Sequence, residues 1–316
     1  MTTKRVLSIQ SHVVHGHVGN KSATFPLNLL GFNVDPLNTV QFSNHTGYGV
    51  FTGDRLDGNQ VLSLFDGLTR NGITDQYSHL LTGYLGKASI LEAVIQIAKA
   101  LKALPKPPLF VLDPVLGDNN SLYVPQELVP LYRDSLCPLA DVITPNGFEA
   151  ELLSGLPIKS EAEAIAALDK LHSLGPKTVV ITSVDWGAGS QTWSMFVSHS
   201  STNSDSVTRF KIDFPRLVGS FTGTGDLFAA LLLARIIDEE AGNVITPKSL
   251  IRACELAVAT MHHVLLETVE RMNGQSQGLG SDAERGGKNV KYRELSVIDS
   301  RKWIENPTLE FKAVMI

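Results

Sequence analysis

The residues best suited to chemistry in this chain lie in Phe221-Thr222-Gly223-Thr224-Gly225-Asp226-Leu227-Phe228-Ala229-Ala230, a glycine-rich turn that opens into an apolar helix expected to run to about Ile237. Glycines let a backbone approach closely, and the first N–H groups of a helix, at the positive end of its dipole, face an anion such as phosphate. Asp226 falls in the first helical turn. A carboxylate there serves as a helix cap, a cation ligand or a general base for a hydroxyl nucleophile, and the short Gly-Thr-Gly-Asp string alone does not choose among them.

Better-known phosphate motifs fail on spacing. Gly16-His17-Val18-Gly19-Asn20-Lys21-Ser22 has lysine and serine in P-loop order, but the second required glycine falls on Asn20. A dinucleotide-binding pattern begun at Gly223 would need its third glycine at Phe228, and the protein-kinase signatures are absent. His12, His15 and His17 share a spacing with few metal sites and have no nearby cysteine, so they read as surface or pocket histidines.

Short β-rich runs must position these groups. Val6 to Gln10, Leu80 to Thr82, Leu109 to Leu112, Asp141 to Thr144 and Val179 to Thr182 are apolar and end in small or polar residues, as buried parallel strands do. Ile90, Leu91, Val94, Ile95, Ala98 and Leu101, and again Ala164, Leu168, Leu171 and Leu174, recur at helical spacing. That alternation predicts an α/β fold with helices covering a mostly parallel sheet. Thr192 to Val197 and Val207 to Phe214 read as an antiparallel hairpin. Ligands of such sheets bind beyond the carboxyl ends of the strands, and four of those corners are polar: Ser8-Ile9-Gln10-Ser11-His12, Asp113-Pro114-Val115-Leu116-Gly117-Asp118, Thr144-Pro145-Asn146-Gly147-Phe148-Glu149 and Thr182-Ser183. Each alone also fits a cap or turn; four together point to a site.

With 316 residues, 43% of them hydrophobic, the chain can bury a large core, and one domain spanning residues 1–316 is the simpler reading, with residues 273–288 expected as a mobile surface loop. The net charge of -5 argues against a nucleic-acid partner. Two cysteines, Cys137 and Cys254, suit a reducing compartment. With no apolar leader or membrane span read in the sequence, a cytoplasmic protein with no membrane partner is expected.

The corners, with Val40-Gln41-Phe42-Ser43-Asn44-His45-Thr46-Gly47-Tyr48, Leu81-Thr82-Gly83-Tyr84, Phe148-Glu149-Ala150-Glu151-Leu152-Leu153 and the Gly223 turn, carry a resemblance. Taken in order, from about Arg5 to Val269, they are similar to the pyridoxal kinases. The resemblance implies a ribokinase-like three-layer α/β/α sandwich, usually a homodimer. It implies transfer of the ATP γ-phosphoryl group to the 5'-hydroxymethyl of pyridoxal, pyridoxine or pyridoxamine.

It also implies roles. Asp226 would take the hydroxyl proton, with Gly223 and Gly225 facing the phosphoryl group. Ser11 and Thr46 would bond the vitamin ring between walls of Val18, Phe42, His45 and Tyr84. ATP would meet Asp113, Tyr123, Asn146, Glu149, Thr182, Ser183, Leu217, Val218, Gly219 and Thr224. Lacking a P-loop lysine, such a site needs Mg²⁺, for which Asp113, Asp118 and Glu149 supply oxygens. Asp113, Thr144 and Thr182 would line a site for K⁺ or Na⁺. The pattern departs at Asp118 to Tyr123, a shorter loop than in animal members, and at Gly86, where those carry arginine. Two other readings remain: a hydroxymethylpyrimidine-type kinase of the same fold, a group that often has cysteine where Asp226 stands, and a non-catalytic vitamin-binding protein.

Overall fold

The computed structural model describes residues 4–187, 189–201, 207–217, 219–237, 244–275 and 290–316. The first half of the chain runs β1 (Arg5–Val13), α1 (Asn20–Leu29), β2 (Asn33–Phe42), β3 (Gly53–Arg55), α2 (Gly58–Arg70), β4 (His79–Thr82), α3 (Ala88–Lys102), β5 (Leu109–Leu112), β6 (Gly117–Asp118), β7 (Ser121–Leu122) and α4 (Leu128–Leu131). It continues through β8 (Val142–Ile143), α5 (Gly147–Ser154), α6 (Glu161–His172), β9 (Thr178–Asp185), β10 (Thr192–Ser200), β11 (Val207–Pro215), α7 (Thr224–Arg235), α8 (Pro247–Gln275), α9 (Arg301–Glu305) and β12 (Val314–Met315).

Ten strands form one sheet in the order β12-β11-β10-β9-β8-β5-β4-β1-β2-β3. The stretch from β9 to β2 is parallel throughout. Strands β3, β10, β11 and β12 run antiparallel to their neighbours. The five expected central strands are β1, β4, β5, β8 and β9, and the expected hairpin is β10 with β11.

Their uninterrupted apolarity has a geometric cause, because successive side chains on a strand point to opposite faces and both faces are covered. Leu7, Ile9, Leu80, Phe110, Leu112, Ile143, Val179 and Ile181 join one core with α2, α3, α5 and α6. Val6, Leu81, Val111, Val142 and Val180 join the other with α1, α7 and α8. The result is the expected three-layer α/β/α sandwich.

Three features were not read from the sequence. Strand β2, Asn-Val-Asp-Pro-Leu-Asn-Thr-Val-Gln-Phe, lacks clean alternation, yet it pairs along β1 from Arg5 with Asn33 onwards. It tolerates Pro36 because β3 covers only Val40 to Phe42, leaving no outer neighbour at the proline. The short loop after Asp118 is a tight hairpin of β6 and β7 whose turn residues, Asn119 and Asn120, hold φ of 49° and 58°. Asparagine accepts that left-handed conformation more readily than most residues. Residues Pro247–Gly274 of helix α8 are long and apolar enough to cross a membrane, contrary to expectation, but 56% of their most apolar stretch is buried, with Leu250, Ala253, Cys254 and Ala257 in the second core. Its helical pattern also runs through Asn273 to Gln275, the start of the expected surface loop; residues 276–288 of that loop, and Val218, lie outside the described residues.

Candidate active site

Asp226 stands in the first turn of α7, whose cap is Gly223. Its Oδ2 accepts the Gly19 N–H at 2.7 Å, tying the turn after β1 to the start of α7. Only glycines permit this closeness: a Cβ on Gly223, at φ 86°, would lie 2.1 Å from the His17 carbonyl, and one on Gly19 would lie 2.4 Å from the Ser11 hydroxyl. A Cβ on Gly83, just beyond β4, would sit 3.2 Å from Asp226 Oδ1 and 2.5 Å from the Gln10 side chain. Burial raises the Asp226 carboxyl above the ordinary carboxylate range, against the pull of the Gly19 N–H. A carboxylate so raised is a better proton acceptor than a free aspartate.

Asp113, the residue after β5, is buried, and its Oδ2 would be 3.1 Å from a Cβ on Gly225. That oxygen has no hydrogen-bond partner, nor have the buried hydroxyls of Thr82 and Thr144 at the neighbouring strand ends. Burial, with the charges of Glu149 and Asp226, pushes the Asp113 carboxyl well up. Orphaned oxygens among mutually repelling buried carboxyls are the environment a cation relieves, so this corner fits one.

Glu149 is differently engaged. Its Oε1 accepts the N–H groups of Leu116 (2.8 Å) and Gly117 (3.3 Å), and its Oε2 accepts that of Asn146 (2.9 Å). In return the Asn146 side chain accepts the Glu149 N–H, a capping box that starts α5. Burial nevertheless pushes Glu149 up to about 7. Asp118 is exposed, with both oxygens accepting from Asn119. Among the described residues no three histidine, cysteine or acidic side chains are grouped closely enough to hold a metal by themselves.

The other expected nucleotide residues line a lip. Thr182 donates its N–H to the Pro145 carbonyl at 2.9 Å, and Gly147 packs against the Ser183 carbonyl, so the ends of β8 and β9 meet. Leu217 and Gly219 lie between β11 and α7, a segment tethered by Arg216 to Asp185 at 3.2 Å and to the Gln191 carbonyl. Thr224 opens α7. Tyr123 is 56% exposed beside the β6–β7 hairpin.

Around the ends of β1 and β2, Ser11 is buried beside Gly19, and Val18 and Phe42 join Val13 and Val40 in a small apolar cluster separate from both cores. His45 is buried and accepts the Gly47 N–H on Nδ1, and Thr46 is exposed in the turn that follows. Half-buried Tyr84 packs its ring against Gly86, where a Cβ would come within 2.7 Å of it; a larger residue at that position would require the ring to move. Sequence reasoning missed Gly19 as a partner of Asp226, Gly83 as its backing, and Glu294. The last bonds the His17 N–H at 2.9 Å from 277 residues away, and no local pattern announces such a contact.

A family model described as "Phosphomethylpyrimidine kinase" matches residues 71–253. The chain is 42% identical to a human pyridoxal kinase, with 99% of this chain and 98% of that protein covered. It is 43% identical to the pyridoxal kinase of Arabidopsis thaliana, over 98% of this chain and 94% of that one. Among solved structures it is similar to the pyridoxal kinase of Leishmania donovani in complex with ADP and pyridoxamine, with a TM-score of 0.84, 36% identity and 99% of each chain covered.

Proposed function

We propose, from the premise that this chain belongs to the pyridoxal kinase family and is an ATP-dependent kinase acting on a hydroxyl group, that Asp226 is the base for phosphorylation of the 5'-hydroxymethyl of pyridoxal and related vitamers. One observation carries the assignment: the Asp226 carboxylate, held by the Gly19 N–H at 2.7 Å, opens onto the N-terminus of α7 and lies beside the Ser11 corner.

In this reading the vitamin ring lies between Val18, Phe42, His45 and Tyr84, with Ser11 and Thr46 bonding its polar groups. Its hydroxymethyl points to Asp226, and the triphosphate runs along Asn146, Thr182, Ser183, Leu217, Gly219 and Thr224, with Tyr123 above. As the hydroxymethyl oxygen bonds to the γ-phosphorus, the bond from that phosphorus to the β–γ bridging oxygen breaks and ADP leaves; the hydroxyl proton passes to Asp226, and the N–H groups from Gly223 to Gly225 face the transferring oxygens. Because Asp226 is itself held by Gly19, the base is aligned before substrate arrives.

Asp113 would hold Mg²⁺ with nucleotide oxygens and water, Asp118 and Glu149 reaching it through water, and Asp113, Thr144 and Thr182 would hold K⁺ or Na⁺. The cations supply charge neutralisation to the phosphates. The resemblance also favours a homodimer, and the free, buried Cys137 and Cys254 suit a reducing cytosol.

The test is an ATP-consumption assay with pyridoxal and hydroxymethylpyrimidine side by side. A higher kcat/KM for pyridoxal is expected. A preference for the pyrimidine would favour the reading suggested by the family model's description, and no turnover of either would favour a binding protein.

A further inference from the structure

Glu294 belongs to none of the motifs above. Its Oε2 accepts the His17 N–H at 2.9 Å, and its Oε1 accepts the Tyr48 hydroxyl at 2.9 Å. His45 Nε2 lies 3.4 Å from Oε1. Since His45 Nδ1 is an acceptor for Gly47, the ring proton of the neutral imidazole sits on Nε2 and faces this carboxylate. The Glu294 side chain is only 6% exposed, and the Arg271 guanidinium donates to its carbonyl from α8.

The loop before Gly19 is shaped around this group. Gly16 holds φ 96°, a conformation that favours glycine, and a Cβ there would lie 2.2 Å from Glu294 Oε1, so a larger residue would push the carboxylate from its place. The carboxylate therefore joins two segments: the loop that carries Val18 and ends at Gly19, and the turn His45-Thr46-Gly47-Tyr48. A buried carboxylate with directional donors on several sides fixes a distance between backbones that apolar contacts leave soft. Burial works against its charge, but the bonds from His45, the His17 N–H and Tyr48 hold the carboxyl below its ordinary range.

We infer that Glu294 is a positioning residue for the vitamin, one carboxylate setting the gap between the Val18 wall and the His45-Thr46 wall. This rests on the assignment of the Ser11, Val18 and His45-Thr46 region to the vitamin ring. It adds a determinant of substrate affinity from a part of the chain that contains no other site residue.

The test compares E294Q, E294A and Y48F with S11A in the full chain, measuring KM for pyridoxal, KM for ATP, kcat and the thermal midpoint. Glutamine retains an acceptor but not two charged oxygens, so E294Q is expected to raise the pyridoxal KM about tenfold, with E294A larger and Y48F about threefold. The ATP KM should move less than about twofold, and kcat should fall by less than KM rises. A pyridoxal KM unchanged in E294Q and Y48F, with only the melting point lowered, while S11A raises it, overturns the role of Glu294. An unchanged KM in S11A as well overturns the pocket assignment, and this inference with it. Should E294A fail to fold, E294Q and Y48F decide the matter.

Discussion

Replacing Asp226 by asparagine separates its role as base from its role as the acceptor that holds Gly19. The Asp226→Asn side chain would keep the volume of the carboxylate and, with its carbonyl oxygen turned to Gly19, the hydrogen bond now 2.7 Å long. What it loses is the capacity to accept a proton, which is worth about 10²- to 10⁴-fold in rate, or roughly 3–5 kcal/mol of barrier. Two effects on stability oppose each other: the bond from Gly19 becomes neutral, costing about 1 kcal/mol, but a carboxylate whose burial already disfavours its charge is removed. The melting temperature should therefore change by no more than about 2–4 °C. Steady-state kinetics with ATP and pyridoxal, a melting curve and a direct pyridoxal binding titration measure all three quantities. Expected is a kcat lower by at least about 10², with binding kept. Asp226→Ala should in addition raise the pyridoxal KM, because Gly19 loses its acceptor and the Val18 loop its anchor. An asparagine variant with kcat within about tenfold of the parent would refute general-base catalysis and leave Asp226 as the structural tie between α7 and Gly19.

Ser11→Ala or Thr46→Ala should each raise the pyridoxal KM by roughly fivefold, about 1 kcal/mol for one neutral hydrogen bond, with the ATP KM unmoved; an effect confined to ATP would remove both from vitamin binding. Glu149→Gln should raise the Mg²⁺ concentration needed for half-maximal rate, and an unchanged titration would remove Glu149 from cation binding. The same variant tests the buried charge: because the folded carboxyl stays protonated up to about 7, the wild-type protein loses stability as pH rises from the ordinary glutamate range towards that value. Measured as the difference between variant and wild type, which cancels the buried histidines, the advantage of glutamine should grow between about pH 5 and pH 7.5 without nucleotide or cations, and a flat difference would show that Glu149 is not raised.

Much of this architecture is written in local patterns. Short apolar runs such as Phe110-Val111-Leu112, spaced between helical patterns, fit strands covered on both faces, and the runs end at the corners where Asp113, Thr144 and Thr182 stand. The glycine spacing around Asp226 likewise marked the α7 turn. Strand β2 was hidden because its stability comes from pairing along β1 and not from its own Asn, Asp and Pro residues. The Asn119-Asn120 hairpin was visible only as a short loop. Glu149 looked like a free ligand because a carboxylate three residues after Asn146 is equally the second half of a capping box. Glu294 could not be placed at all, since its partners His17, His45 and Tyr48 are named by the fold and not by neighbours in sequence.

That last contact also bears on the order in which the protein becomes competent. The sheet centre pairs strands drawn from residues 5 to 185, and those ladders can assemble from the growing N-terminal part of the chain. The Val18 and His45 segments, by contrast, wait for a carboxylate 277 positions beyond His17, one of the longest loops the fold has to close. A refolding experiment should accordingly show sheet formation first and recovery of vitamin affinity later, the proposed ring pocket being the last part of the chain to mature.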